Sequence, residues 1–220
     1  MTTPVVKLRG VSKSFPSPGG ATSVLEGVDL QIDAGQKVSL VGPSGSGKST
    51  LLALIAGLLP PDAGTVEFDG IPLSNLDDDE RTALRSRQIG IGLQSENLIP
   101  FLTVLENVEL ALALGGHRSG RARARELLNR MGVAHRANHL PRQVSGGEAQ
   151  RVVLAVAMAN TPRLLLADEM VTQLDALTAD AVVSDIFRTD MAVFFVTHDT
   201  TLADQADVRL CLRDGQVVTR

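Results

Sequence analysis

The sequence predicts an α/β fold: a mainly parallel sheet flanked by helices, carrying an inserted all-helical segment. Two observations carry that expectation. The outer parts of the chain alternate short apolar β-prone runs with helical patterns, whereas residues 95–160 read as mainly helical. And one strand-to-helix junction is Gly42-Pro43-Ser44-Gly45-Ser46-Gly47-Lys48-Ser49-Thr50, which satisfies G-x-x-x-x-G-K-[ST], a phosphate-binding loop.

The elements follow in order. Residues 5–11 read as a strand, with a Pro/Gly loop at 16–20. Residues 24–32 form a second β-prone stretch in which Val28, Leu30 and Ile32 alternate with polar residues. Asp33-Ala34-Gly35 turns the chain into a third strand, 36–41, that feeds the glycine loop. The apolar run 51–56 is a buried helix stopped at Gly57. A turn at 60–64, a strand at 65–68 and a turn at Asp69-Gly70 precede a helix ending near Arg87, then a strand at 88–93. Asp77-Asp78-Asp79-Glu80 opens that helix, and acids in a first turn suit the helix dipole. Four adjacent acids splay around a helix, so capping is preferred to a metal site. Helices are expected at 103–114, 120–131 and 146–159. Strand 163–167, helix 176–187, strand 192–196, helix 199–206 and strand 208–212 close the chain.

Composition narrows the function classes. The chain has 220 residues, 44% hydrophobic and 21% charged, ordinary for a globular protein and long enough for one large domain. A net charge of −4 argues against a broad basic surface for nucleic acid. Aromatic residues are 3%, with no Trp or Tyr, which argues against base-stacking platforms. The single cysteine, Cys211, excludes an internal disulfide or cysteine metal cluster and reads as a buried strand residue. There is no apolar signal segment and no run near the ~20 apolar residues that span a bilayer, so a membrane role would come through a partner. Arg118, Arg121, Arg123 and Arg125 read as a solvated helix face. His117, His135 and His139 lack acidic or cysteine neighbours at ligand spacing and read as surface or structural.

The chemistry starts at residues 42–50. A strand, a glycine loop and a helix aim backbone N–H groups and about half a positive charge at one point, which favours a polyphosphate. Glycines at 42, 45 and 47 permit positive φ and close approach. Lys48 would reach the β- and γ-phosphates, and the Ser49 hydroxyl would ligate Mg²⁺. Three further stations are visible. Asp168 and Glu169 end an apolar strand, and beside a phosphate loop the first would hold the Mg²⁺ shell while the second orients a water. His198 ends a second apolar strand, where open α/β sheets place ligands, and reads as a γ-phosphate contact. Ser145-Gly146-Gly147-Glu148 opens a helix with a good N-cap, a second anion-reading terminus. Two such elements in one chain suggest a head-to-tail pair sharing each nucleotide.

With these stations in this order, the chain resembles ATP-binding cassette (ABC) ATPases over essentially its whole length. The resemblance rests on residues 42–50, Gln94, Val144-Ser145-Gly146-Gly147-Glu148-Ala149-Gln150-Arg151, Asp168-Glu169, Asp175 and His198. It implies a P-loop NTPase core with an N-terminal antiparallel β subdomain, residues 1–94 and 161–220 forming the nucleotide-binding part and 95–160 a helical subdomain. It implies that Phe15 stacks on adenine and that Gln94 contacts Mg²⁺ or the attacking water and senses a membrane partner. It implies that Asp175 acts at a dimer interface, and that Ser145 and Gly147 bind the γ-phosphate held by the opposite copy. It implies ATP and Mg²⁺ as ligands, a second copy and an integral membrane permease as partners, and a cytoplasmic place on the inner membrane face. No nucleic acid is expected. Residues 76–80 and 96–108 are similar to the subgroup for lipoprotein release and macrolide or peptide export.

Three departures stand out against that resemblance. Phe15 replaces the more usual Tyr. Met170-Val171-Thr172-Gln173 replaces a stretch that usually opens with proline, which frees the backbone there. The stretch between Asp175 and His198 is a few residues short. Rival readings are an ABC ATPase that moves no solute, such as a division-site signalling protein, and a GTPase or small-molecule kinase. The last lacks an Asn-Lys-x-Asp guanine reader.

Overall fold

Burial alternates along the first strand, with Val6, Leu8 and Val11 inside, and that pattern sets the first sheet. The computed structural model describes residues 3–17, 20–92, 98–117 and 120–219. The chain divides into two compact units, Met1–Thr82 with Ala192–Arg220, and Ala83–Met191.

In the first unit, β1 (Val6–Ser17) pairs antiparallel with β2 (Gly20–Ile32), from Val6↔Ile32 to Ser17↔Gly20. On its other edge β1 pairs antiparallel with β4 (Ala63–Phe68), which pairs with β5 (Ile71–Pro72). The first hairpin runs further than the sequence suggests, because residues 12–17 and 20–23 are strand, including Pro16, Ser17 and Gly20 of the expected 16–20 loop. Their side chains are mostly exposed and carry little apolar period, so the pairing is set by the facing strand rather than by local pattern.

The second sheet of this unit centres on β3 (Lys37–Val41), which lies parallel between β8 (Ala192–Val196) and β9 (Val208–Arg213). β3 is buried up to its last residue and β8 throughout; β8 reads as a continuous apolar run, as two-sided parallel strands do, whereas β3 also buries Lys37 and Ser39. Cys211 is buried in β9. β10 (Gln216–Thr219) is antiparallel on β9 and has no counterpart in the sequence reading, since four mostly exposed residues leave no periodic signal. α1 (Lys48–Ile55) follows β3. α7 (Thr200–Ala203) is shorter than the expected 199–206, and Asp199 Oδ1 caps it by accepting from the N–H groups of Thr201 at 2.7 Å and Leu202 at 3.3 Å. α2 (Asp78–Gln88) opens on a reciprocal cap: Asp77 N–H donates to Glu80 Oε2 at 2.9 Å and Glu80 N–H to Asp77 Oδ1 at 2.8 Å. The acidic run therefore caps.

In the second unit, β6 (Ile89–Gly92) and β7 (Leu164–Asp168) are parallel, from Ile89↔Leu164 to Gly92↔Ala167. Between them in sequence the regular elements are helical: α3 (Val104–Leu114), α4 (Arg121–Arg130), α5 (Gly146–Ala157) and short 3-10 turns. α6 (Ala176–Phe187) follows β7. Val104, Leu105, Leu127, Leu128, Val152 and Leu154 are all but fully buried, each worth roughly 1.5–3 kcal/mol of transfer free energy. Arg121 pairs with Glu109 at 3.4 Å and Arg123 with Glu126 at 3.2 Å on the solvated side of α4, while Arg118 lies outside the described residues. Among the described residues no helix is long and apolar enough to cross a membrane.

Candidate functional site

β3 and β8 run parallel with Leu40 opposite Val196, so their carboxyl ends lie side by side. The phosphate loop leaves one end and His198 the other, and this is the edge where parallel sheets bind ligands. His198 itself is exposed.

The loop is built from backbone. Gly47 is the N-cap of α1 with φ 102° and no side-chain cap, so the first N–H groups of the helix face outward. A side chain there would also meet Val24 Cγ1 at 2.7 Å. Gly45 has φ 75°, as expected, but Gly42 does not adopt a positive φ. Its requirement is steric, since a Cβ would stand 2.5 Å from the Leu212 carbonyl oxygen. Lys48 is buried, and its ammonium donates to the carbonyls of Gly42 at 3.0 Å and Pro43 at 2.8 Å. Pro43, Ser44, Gly45 and Ser49 are exposed, Thr50 is half-buried, and the Ser46 hydroxyl is buried with no hydrogen-bond partner among the described residues. An uncapped helix start with an orphaned hydroxyl and a buried cation fits a phosphate chain.

In the same unit Phe15 is 38% exposed on β1. The Lys13 ammonium sits 5.8 Å from its ring centroid, inside cation–π range. Asp62 holds Lys13 at 2.6 Å with one oxygen and the Ser14 N–H at 2.7 Å with the other, and these bonds keep its carboxyl below the usual range.

The second unit carries the remaining stations. Asp168 ends β7, and Glu169 follows with φ 55°. The Thr172 hydroxyl donates to Glu169 Oε2 at 2.6 Å. Buried Gln150 on α5 donates from Nε2 to the Glu169 carbonyl, and its Oε1 accepts from the Gln173 N–H at 3.0 Å. Asp175 caps α6, accepting from the Thr178 N–H at 3.1 Å, and its bonds to the Thr178 hydroxyl and N–H keep its carboxyl low. Gln94 lies outside the described residues.

Ser145 caps α5 through a reciprocal pair: its Oγ accepts from Glu148 N–H at 3.2 Å, and Glu148 Oε2 accepts from Ser145 N–H at 2.8 Å. The hydroxyl keeps its proton for an outside acceptor. Glu148 Oε1 takes Arg136 Nε at 2.8 Å and meets His135 Nε2 at 3.0 Å. Arg136 first, then the Ser145 N–H, hold the Glu148 carboxyl at about 2. His135 thus has an acidic neighbour that thirteen residues of separation hid from the sequence reading. Gly147 lies against the Gln173 backbone and the Leu174 side chain, where a Cβ would meet the Gln173 carbonyl oxygen at 2.8 Å. The sequence reading also missed Gln150 and Thr172 as contacts of Glu169, because neither is unusual in its local pattern.

The chain is similar to known proteins over nearly its whole length. The family described as ABC transporter matches residues 25–172. A lipoprotein-releasing system ATP-binding protein LolD 2 of Caulobacter vibrioides is 43% identical over 99% of this chain and 98% of its own length. The LolD protein of Nitrobacter hamburgensis is 46% identical over 98% of this chain and 95% of its own. Among solved structures, the dimeric post-hydrolysis state of the ATP-binding cassette MJ0796 bound to ADP and Pi superposes with a TM-score of 0.93 at 41% identity, covering 98% of this chain and 97% of that one.

Proposed function

The chain belongs to the ABC transporter family, and from that premise we propose that it is the ATP-hydrolysing subunit of a transporter, closing as a pair of copies around two ATP. The observation that carries this is the pairing of anion-reading helix starts, a backbone-built one at Gly47 and a side-chain-capped one at Ser145. A single copy binding one triphosphate has no use for the second.

The roles follow from chemistry. The loop N–H groups at 42–50 and the Lys48 ammonium take the phosphates, and Phe15 takes the adenine face. Ser145 and Gly147 cap the γ-phosphate of the opposite copy, with Asp175 at the interface. Ser49, Asp168 and Gln94 are hard oxygen donors, too few to cage an ion, which suits Mg²⁺ with its retained waters and substrate oxygens. When bound it supplies charge neutralisation. Glu169 orients a water and takes its proton as the new O–P bond forms. The bond from the γ-phosphorus to the β-phosphate oxygen breaks, leaving ADP and inorganic phosphate. His198 steadies the γ-phosphate. The relatives' names support lipoprotein release as the work, through a separate membrane permease docking near Gln94 and the 95–160 helical subdomain on the inner membrane face. The core, residues 1–94 and 161–220, would hold the nucleotide.

Glu169→Gln tests this. ATP binding should persist, hydrolysis should fall by at least about 100-fold, and an ATP-loaded dimer should accumulate on size-exclusion chromatography. Hydrolysis at the wild-type rate, or a strictly monomeric ATP-loaded form, would overturn the proposal.

A further inference from the structure

Met170 stands where a proline is usual, directly after Glu169. A residue with a Cβ at φ 55° is in a costly left-handed conformation, which persists only where its surroundings over-determine it. Three side chains do so here. Met170 is 1% exposed and anchors the turn in the core. Gln150 spans the turn, joining the Glu169 carbonyl to the Gln173 N–H. Thr172 donates to the Glu169 carboxylate at 2.6 Å, within a turn where its own N–H reaches the Glu169 carbonyl at 3.4 Å. The first two fix backbone, and Thr172 is the one of the three that reaches the carboxylate. A carboxylate on rotatable bonds samples several orientations, and a short charge-assisted hydrogen bond selects one.

We propose that Thr172 is a positioning residue for hydrolysis: its hydroxyl orients the Glu169 carboxylate on a turn whose backbone Met170 and Gln150 hold. The inference rests on Glu169 acting as the base. The family usually carries small polar residues in this stretch, and here Thr172 turns its hydroxyl back on Glu169 of its own chain.

The test is steady-state hydrolysis of Mg·ATP by the full chain. Thr172→Val keeps the side-chain shape and removes the hydroxyl, and Thr172→Ser keeps the hydroxyl. For Thr172→Val, kcat should fall about tenfold, equivalent to about 1.4 kcal/mol, with KM for ATP within about twofold. Thr172→Ser should recover to within about threefold of the wild-type kcat, since a hydroxyl in the same turn can remake the bond. In a Glu169→Gln background, Thr172→Val should leave the residual single-turnover rate unchanged, because the group it orients is gone. An unchanged or raised kcat for Thr172→Val beside an inactive Glu169→Gln overturns this inference alone. So does an equal loss in the Val and Ser variants, or a tenfold loss that persists in the Gln background. Wild-type hydrolysis by Glu169→Gln overturns the base assignment and this inference with it.

Discussion

Gly47 starts its helix with backbone alone, whereas Ser145 starts its helix with a side chain that Glu148, Arg136 and His135 lock in turn. The same contrast runs through the segments they serve. The loop at 42–50 needs glycine where a Cβ would strike the Leu212 carbonyl or Val24, and almost any other residue there would break it. The turn after Glu169 is held by Gln150 and Thr172, from one helix and from the turn itself. A backbone-built site tolerates little change in sequence. A site held by donor–acceptor pairs can lose a proline and keep its geometry, provided another pair forms.

The largest test of that contrast is Lys48→Met. Removing the cation from the loop should lower hydrolysis by at least about 100-fold, since its charge acts where transition-state charge develops. Activity within tenfold of wild type would break the comparison at its first term. Gly42→Ala and Gly147→Ala sharpen it. Both would push a Cβ onto a carbonyl oxygen, at 2.5 Å from Leu212 in a strand and 2.8 Å from Gln173 in a turn. Overpacking against the strand should cost about 2–3 kcal/mol and lower Tm by roughly 5–10 °C. The turn can shift, so Gly147→Ala should cost Tm less and hydrolysis more. The reverse order in a thermal melt would mean that the turn is the stiffer of the two.

The last effect lies in acid. The Glu148 carboxyl is lowered in the folded state, from its ordinary 4.5 to about 2. Its contribution is therefore present above about pH 4.5 and lost as pH falls toward 2. Wild type should lose up to about 3 kcal/mol more than Glu148→Gln over that window, at about 1.4 kcal/mol per pKa unit. Parallel pH dependence of the two unfolding free energies would show that Arg136 and His135 lend the cap nothing.

Much of this was legible in the residues. β7 and β8 announce themselves because strands buried on both faces are almost wholly apolar, and β3 because it runs into the glycine loop. α5 announces itself through Ser145 and Glu148, three apart, since a reciprocal cap is a local pattern. The long β1–β2 hairpin was not legible beyond Val11, because Ser14↔Ser23 and Phe15↔Thr22 are chosen by register and not by apolar period. β10 escaped because four mostly exposed residues leave no periodic signal.

By itself the sequence determined most of the order of strands and helices, and it placed Lys48 and Ser145 at helix starts and Asp168, Glu169 and His198 at or just beyond strand ends, because each depends on residues a few positions apart. Only the tertiary structure decided why Gly42 must be glycine, that His135 and Arg136 share Glu148, and that Thr172 and Gln150 converge on Glu169. Most of those facts rest on contacts between groups far apart in the chain. The Thr172 contact, though local, depends on the backbone angle at Glu169, which no local pattern records.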